Sequence, residues 1–357
     1  MSMKNSRKYG LRLLATAAVA AVIAVTVMFT GEKAAATSAQ SPVMWQTDVA
    51  LGAPYQMRYV NQPDDYSGAV RSTIVRLTSD CAHGVGVLYV HGYNDYFFQD
   101  EMARQFTEHC YDFYAVDLRK YGRSIMPGQR KFEARDLREY FADIDSAVVQ
   151  MQHDGINSIV LMGHSTGGLI SAYYMASQPP QCIKALVLNS PFLDWNQSKF
   201  QEKFLIPVVD TFASLLPKVN ISQGDDDTYA RSLLKSMEGE WEYNTDWKLV
   251  HSPDVQTSWI KAIDYAQAVV QDFPGIKVPI LLMHSDSTYR PGQGDPSRAD
   301  AVLDVDDISH YGRRLGIDVD EFTVKGGLHD LMLSAPGVRT ALYDSLFDWL
   351  SKLRLSR

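Results

Sequence analysis

Gly163-His164-Ser165-Thr166-Gly167, followed by Gly168, is the segment of this sequence best suited to covalent chemistry. It comes directly after the apolar run Ile159-Val160-Leu161-Met162 and opens a stretch with helical spacing. A serine flanked by small residues at a strand-to-helix turn can be held in a strained conformation, with its hydroxyl raised above the sheet edge. The next amide, on Thr166, then lies at a helix N-terminus, where partial positive charge favours an oxyanion. The chemistry suggested is nucleophilic attack on a carbonyl.

A serine hydroxyl is a poor nucleophile without a base. Where such serine turns occur in strand–helix folds, the acid follows the serine and the histidine comes last. Of the nine histidines, only His310 and His329 lie late enough. His310 falls inside an amphipathic stretch, which suits a surface or packing role. His329 follows a strand-like run over 321–324 and the Gly326-Gly327 turn, so it belongs on a loop at the carboxyl edge of the sheet, where ligands bind in open α/β folds. Two acids compete for the third role. Asp286 is nearest the strand that ends at Met283. Asp300 precedes an apolar pair and Asp304, a suitable helix N-cap, and is preferred because the acid must lie close to the base to orient it. His91 and His164 read as structural residues of their loops. The Asp117, Arg119 and Arg123 charges read as ion pairs stapling a loop.

These residues need a scaffold, and the hydrophobic pattern describes one. Two alternating stretches, 55–60 and 70–77, read as antiparallel, half-exposed strands. From there short apolar runs recur at 84–90, 113–116, 158–162, 185–188, 278–283 and 321–324, apolar enough to be buried on both faces. Between them, 99–109, 134–153, 169–178, 304–315 and 338–353 have helical spacing. This alternation predicts an α/β domain with a mostly parallel, doubly wound sheet over 42–357. Over 193–275 no convincing strand is found, and large apolar groups are frequent: Trp195, Phe200, Phe204, Phe212, Trp241, Trp247 and Trp259. An insertion of this length is expected to form a helical cap over the sheet's carboxyl edge.

The N-terminus stands apart. Lys4, Arg7, Lys8 and Arg12 precede an apolar stretch over 13–30 and the small-residue run Ala34-Ala35-Ala36-Thr37-Ser38-Ala39. Residues 1–36 read as a signal peptide or an uncleaved signal anchor, with the body exported: secreted, periplasmic or at the cell surface. Membrane association through residues 13–30 follows if the segment is retained. Net charge is −8, from 34 basic and 42 acidic residues among 357, with no long basic run, which argues against nucleic acid as a partner. Cys81, Cys110 and Cys182 have no metal-ligand spacing, and no metal or cofactor is expected. Cys81 and Cys110 precede neighbouring strands, so an oxidising compartment would join them; three unpaired thiols is the alternative.

Four stretches, in this order, carry a family resemblance: Leu88-Tyr89-Val90-His91-Gly92-Tyr93, Asp117-Leu118-Arg119-Lys120-Tyr121-Gly122-Arg123-Ser124, the serine turn, and Gly326-Gly327-Leu328-His329-Asp330. Together they resemble the monoglyceride lipase/lysophospholipase-like branch of the α/β-hydrolase fold, which includes serine aminopeptidase S33-type members. The resemblance covers the chain from about residue 55, apart from the cap. It implies a serine hydrolase with Ser165, Asp300 and His329 as a triad, and oxyanion amides on Tyr93 and Thr166. It adds support for Asp300 through the apolar pair that follows it. Two departures stand out: Lys120 where the family has glycine, and an insertion between Ser287 and Asp300 that keeps Asp286 in contention. The expected substrate is a small molecule bearing a hydrophobic acyl ester, hydrolysed through an acyl-enzyme. Amide or peptide hydrolysis by the same residues is the alternative, and an exported binding protein without catalysis is a third reading. Oligomeric state is not encoded in any feature of the sequence.

Overall fold

The apolar runs from Val85 onward alternate their side chains between two cores, one on each face of a sheet. In a computed structural model, residues 44–177, 179–195, 218–353 and 355 are described. Residues 1–36, expected to be a signal or anchor, and Phe200, Phe204 and Phe212 lie outside them. Among the described residues, nine strands form one sheet in the order β1-β2-β3-β5-β4-β6-β7-β10-β11. These are β1 (Gln46–Thr47), β2 (Gln56–Asp65), β3 (Gly68–Leu77), β4 (Val85–Val90), β5 (Asp112–Asp117), β6 (Ser158–His164), β7 (Ile183–Asn189), β10 (Ile280–Ser285) and β11 (Val319–Val324). From β5 to β11 all neighbours run parallel, whereas β1, β2 and β3 attach antiparallel. The parallel part is the doubly wound sheet that the alternation of strands and helices implies.

Helices cover both faces. On one side α1 (Asp100–Glu108) and α7 (Pro336–Lys352) pack Met102, Phe106, Leu342 and Leu346 against Val87, Tyr89, Val160 and Met162. On the other, α2 (Phe141–His153), α3 (Thr166–Ala176), α5 (Thr257–Asp272) and α6 (Val305–Gly312) meet Leu88, Val90, Leu161 and Leu186. Successive residues of one strand thus serve opposite cores, which is why these strands read as unbroken apolar runs.

Strand β3 departs from the expected half exposure: Val70, Ser72, Thr73, Ile74, Val75 and Leu77 are all buried. It lies between β2 and β5 with α1 and α2 against it, which encloses most of its length and leaves Gly68 and Ala69 exposed at its start. Its polar members have internal partners: Ser72 Oγ accepts from Gln62 Nε2 at 2.9 Å, and Thr73 Oγ1 lies 2.9 Å from Ser124 Oγ. The described part of 193–275 holds the short helix α4 (Thr228–Leu233), helix α5, and a two-residue antiparallel ladder of β8 (Asn220–Ile221) with β9 (Val255–Gln256) that the sequence pattern did not reveal. Two-residue strands leave no readable alternation. Among the described residues, no helix is long and apolar enough to cross a membrane. Cys81 and Cys110 form a disulfide, and Cys182 is a buried free thiol.

Candidate active site

Strand β6 ends at His164 and helix α3 begins at Thr166, so Ser165 alone makes the turn. Its backbone has φ +52°, a region that disfavours any residue with a Cβ. The turn is held from several sides. The Ser165 amide donates to the Asn189 carbonyl at 3.0 Å, and the Ser165 carbonyl accepts from Leu169 and Phe192 amides at 3.1 and 3.0 Å. The flanking glycines are required by close approach. A Cβ on Gly163 would fall 2.5 Å from the Gly167 carbonyl oxygen, and one on Gly167 would fall 2.3 Å from the His91 carbonyl oxygen. Both obstacles are backbone, so a methyl group there would displace the turn itself.

His329 lies on the loop after β11, with Nε2 2.9 Å from Ser165 Oγ and Nδ1 2.9 Å from Asp300 Oδ2. A carboxylate can only accept, so the imidazole proton sits on Nδ1 and Nε2 is left to accept the serine hydroxyl. Asp300 is fully buried, and its other oxygen accepts from the Val302 and Leu303 amides at 2.8 Å each. Asp286, the rival acid, is exposed and accepts from the Gly326 amide at 2.9 Å, shaping the turn before His329 rather than touching its ring. The structure therefore brings Ser165, His329 and Asp300 together and leaves Asp286 aside. His310 is exposed on α6, as its amphipathic setting implies.

Asn189, at the end of β7 between the strands that carry Ser165 and Asp300, was not singled out from sequence. Its carbonyl holds the Ser165 amide and lies 3.1 Å from His164 Nδ1, while its side chain donates to Asp330 Oδ1 at 2.8 Å and accepts from the Leu331 amide at 3.2 Å. One residue thus ties the serine turn to the histidine loop. Asp330 is buried and also accepts from Gln99 Nε2 at 2.9 Å. Burial works against its charge, yet His164, the Gln99 and Asn189 amides and Lys248 together hold its carboxyl below the ordinary range. Asp95, His164 and Asp330 place one ligand-type atom each within 4.8 Å of one another. They are a poor cation site, because Asp95 is paired with Lys248 and both Asp330 oxygens accept from amides.

Burial pushes the His164 imidazole below its ordinary value of 6.5, with His329 acting in the same direction and Asp330 and Asp95 opposing. A histidine depressed on folding binds fewer protons than in the unfolded chain. Its contribution to stability is complete above pH 6.5 and is lost as pH falls from there toward the folded value. Thermal unfolding is expected to shift downward as pH falls below 6.5. In His164→Asn, whose amide can still donate to the Asn189 carbonyl, that slope shrinks. An unchanged slope assigns it to other groups.

Tyr93 and Thr166 both border the cavity that Ser165 and His329 open into. The Thr166 amide is at the first turn of α3, where backbone N–H groups have no helical partner. His91 acts on the Tyr93 side as a structural residue: its Nε2 accepts from the Leu118 amide at 3.1 Å, so its protonated Nδ1 donates to the Gly92 carbonyl at 2.8 Å. The loop after β5 is stapled as its charges suggest, with partners from outside it. Arg123 reaches Asp117 at 2.9 Å and Asp48 at 2.5 Å, and Arg119 reaches Asp143 at 2.8 Å. Lys120 takes φ +67° where glycine is usual, and its fully buried ammonium lies 2.7 Å from Asp65 on β2.

The cavity measures about 320 Å³. Phe192, Trp195, Trp259, Leu249 and Val302 supply apolar lining, whereas the buried Asp95–Lys248 pair and the exposed Gln223 and Asp226 add polar groups. Trp195 and Trp259 pack edge to face, with centroids 6.3 Å apart, and Trp259 also touches Tyr93 at 4.5 Å. Trp241 and Trp247 pack instead against the small cluster around Tyr96, Phe98 and Leu333. The described tryptophans of 193–275 therefore divide between lining the cavity and joining a separate small cluster.

Comparison with known proteins gives these residues a context. The family model described as "Serine aminopeptidase, S33" matches residues 83–293, more than half of the chain. Among curated proteins, the AB hydrolase superfamily protein YisY of Bacillus subtilis (strain 168) is 28% identical over 119 residues, which is 33% of this chain and 41% of that protein. Epoxide hydrolase 4 of Mus musculus is 30% identical over 106 residues, 29% of this chain and 28% of its own length. The chain thus matches less than half the length of either relative. Among solved structures, a soluble variant of monoglyceride lipase from Saccharomyces cerevisiae with a substrate analog superposes with TM-score 0.61 at 17% identity, covering 88% of this chain and 99% of that one. The monoacylglycerol lipase of Paleococcus ferrophilus gives 0.57 at 17% identity, covering 78% and 98%. At these identities the likeness is one of fold.

Proposed function

The chain belongs to the serine aminopeptidase S33 family of α/β hydrolases, and on that premise we propose that it is a serine hydrolase acting on a carboxylic ester with a hydrophobic acyl group. The observation that carries the reading is the continuous relay from Ser165 Oγ through His329 to Asp300, with 2.9 Å at each step. Ser165 Oγ attacks the ester carbonyl carbon while Nε2 of His329 takes its proton; Asp300 stabilises the imidazolium. The Thr166 and Tyr93 amides receive the oxyanion. Collapse expels the alcohol, which takes the proton from Nε2, and leaves an acyl group on Ser165. Water, deprotonated by the same nitrogen, then releases the acid and restores the hydroxyl.

Phe192, Trp195, Trp259 and Val302 along the cavity support an apolar acyl group, because burial of such surface supplies binding energy. A volume of about 320 Å³ suits a small or medium-sized substrate rather than a long extended one. Amide or peptide cleavage is the second reading. It is favoured by the family's description and by Asp226, an exposed carboxylate on the cavity wall available to a substrate ammonium group. A series of p-nitrophenyl esters from acetate to decanoate, run beside aminoacyl p-nitroanilides, separates the two. The ester reading expects kcat/KM to peak within the ester series; a maximum among the anilides overturns it. A fluorophosphonate probe is expected to modify Ser165 alone, whereas a silent binding protein would remain unlabelled.

We also propose export, with residues 1–36 as signal or anchor and membrane association through 13–30 if the segment is retained. The Cys81–Cys110 disulfide supports an oxidising compartment. Non-reducing mass spectrometry of the protein from its native host is expected to show these two cysteines linked. Free thiols at both positions would remove that support.

A further inference from the structure

The residues that follow Tyr93 hold one short segment of the cap. Asn94 forms two reciprocal hydrogen bonds with Leu249: its Nδ2 donates to the Leu249 carbonyl at 2.9 Å, and its Oδ1 accepts from the Leu249 amide at 2.7 Å. Asp95 Oδ1 takes the Lys248 ammonium at 2.9 Å, with both side chains almost wholly buried. Tyr96 accepts from the Asn244 amide at 2.8 Å and stacks edge to face on Trp247, centroids 5.2 Å apart. Three consecutive loop residues thus grip 244–249, a stretch about 150 positions further along the chain. Asn94 itself sits at φ +49°, in the left-handed region that asparagine adopts more readily than most side chains.

The other side of Tyr93 is held differently. His91 binds the Gly92 carbonyl, and that carbonyl shares its rigid peptide plane with the Tyr93 N–H. The direction of the Tyr93 amide is therefore fixed from the sheet side by His91 and from the cap side by Asn94. Resting on the reading that this amide is an oxyanion donor, we propose that the 244–249 segment positions the oxyanion loop, with Asn94 as the positioning residue that links them. Lys248, Leu249 and Val250 also line the cavity beside Ser165. A substrate group seated against them rests on the same segment that braces the oxyanion amide. The group accommodated there then affects the chemical step as well as binding.

Asn94→Ala removes both bonds to Leu249 without leaving a buried charge unpaired. Displacing an oxyanion donor by a fraction of an ångström to an ångström is expected to lower kcat about 10- to 100-fold, with KM changing by less than about threefold. The affinity of an acyl trifluoromethyl ketone, whose hemiketal oxygen occupies the oxyanion position, falls by the same factor as kcat/KM. The affinity of the product alcohol, which bears no oxyanion, stays as in the wild type. Asn94→Asp keeps the acceptor for the Leu249 amide but loses the donor, and is expected to lie between the two. Ile144→Val, a core change in α2 away from the cavity, tests whether lost stability alone produces the effect; it should keep kcat and ketone affinity. Unchanged kcat and ketone affinity in Asn94→Ala, or a loss confined to KM, overturns the coupling while wild-type labelling at Ser165 leaves the hydrolase reading intact. A wild type that resists both fluorophosphonate and ester overturns that reading, and the coupling with it.

Discussion

Ser165→Ala is expected to lower kcat for a p-nitrophenyl acyl ester by roughly 10⁴- to 10⁶-fold, with KM nearly unchanged. Only Oγ is removed. Alanine has the same Cβ and meets the same backbone strain at φ +52°, and the turn's hydrogen bonds are made by backbone atoms. The variant should therefore fold like the wild type, with an unchanged thermal midpoint. The remaining activity comes from an oxyanion site and a binding cavity that can still help water attack, by about 10³- to 10⁴-fold over the uncatalysed reaction. Turnover within tenfold of the wild type would show that the hydroxyl is not the nucleophile, whatever its neighbours.

Asp300→Asn is expected to cost about 10⁴-fold in kcat while leaving the fold in place. Asp300 Oδ1 accepts from the Val302 and Leu303 amides, so an asparagine would keep its carbonyl oxygen there. Its NH₂ group would then face His329 Nδ1. That nitrogen could no longer carry the proton, and the imidazole would turn Nε2–H toward Ser165 Oγ, a donor where an acceptor is needed. Asp286→Asn is the matching control. Asp286 supports the Gly326 amide and does not reach the ring, so the change should cost no more than a few-fold. A larger loss in the Asp286 variant than in the Asp300 variant would exchange their roles.

How far the sequence reveals this arrangement depends on distance along the chain. The serine turn is a local object: strand, glycine, serine, glycine and helix fall within a dozen residues, and each has a steric reason. His329 is nearly as legible, because a glycine turn after the last strand puts it at the carboxyl edge. The acid is less so. Asp286 and Asp300 flank one loop, and the backbone pairing of Thr288 with Asp300, with Thr288 and Arg290 holding Val305 and Asp304, brings the later residue back to the histidine. Asn189 and the Asn94–Leu249 clamp leave no pattern at all. Their partners are some 140 to 155 positions away, and periodicity reports which face a residue takes, not which distant atom it meets. The same holds for β3, where polar Ser72 and Thr73, on opposite faces, suggest exposure but bond internally.

Strand β11 is the outermost strand at its end of the nine-stranded sheet, with most of its residues only partly buried, whereas β6 is wholly enclosed. The strand that leads to the base lies at the sheet's margin, and the one that leads to the nucleophile lies at its centre. Margins fray at lower free energy than interiors, so mild heat or denaturant should disarm this site by peeling away the histidine while the serine keeps its shape. Such a silenced molecule needs only to re-lay one strand to regain function.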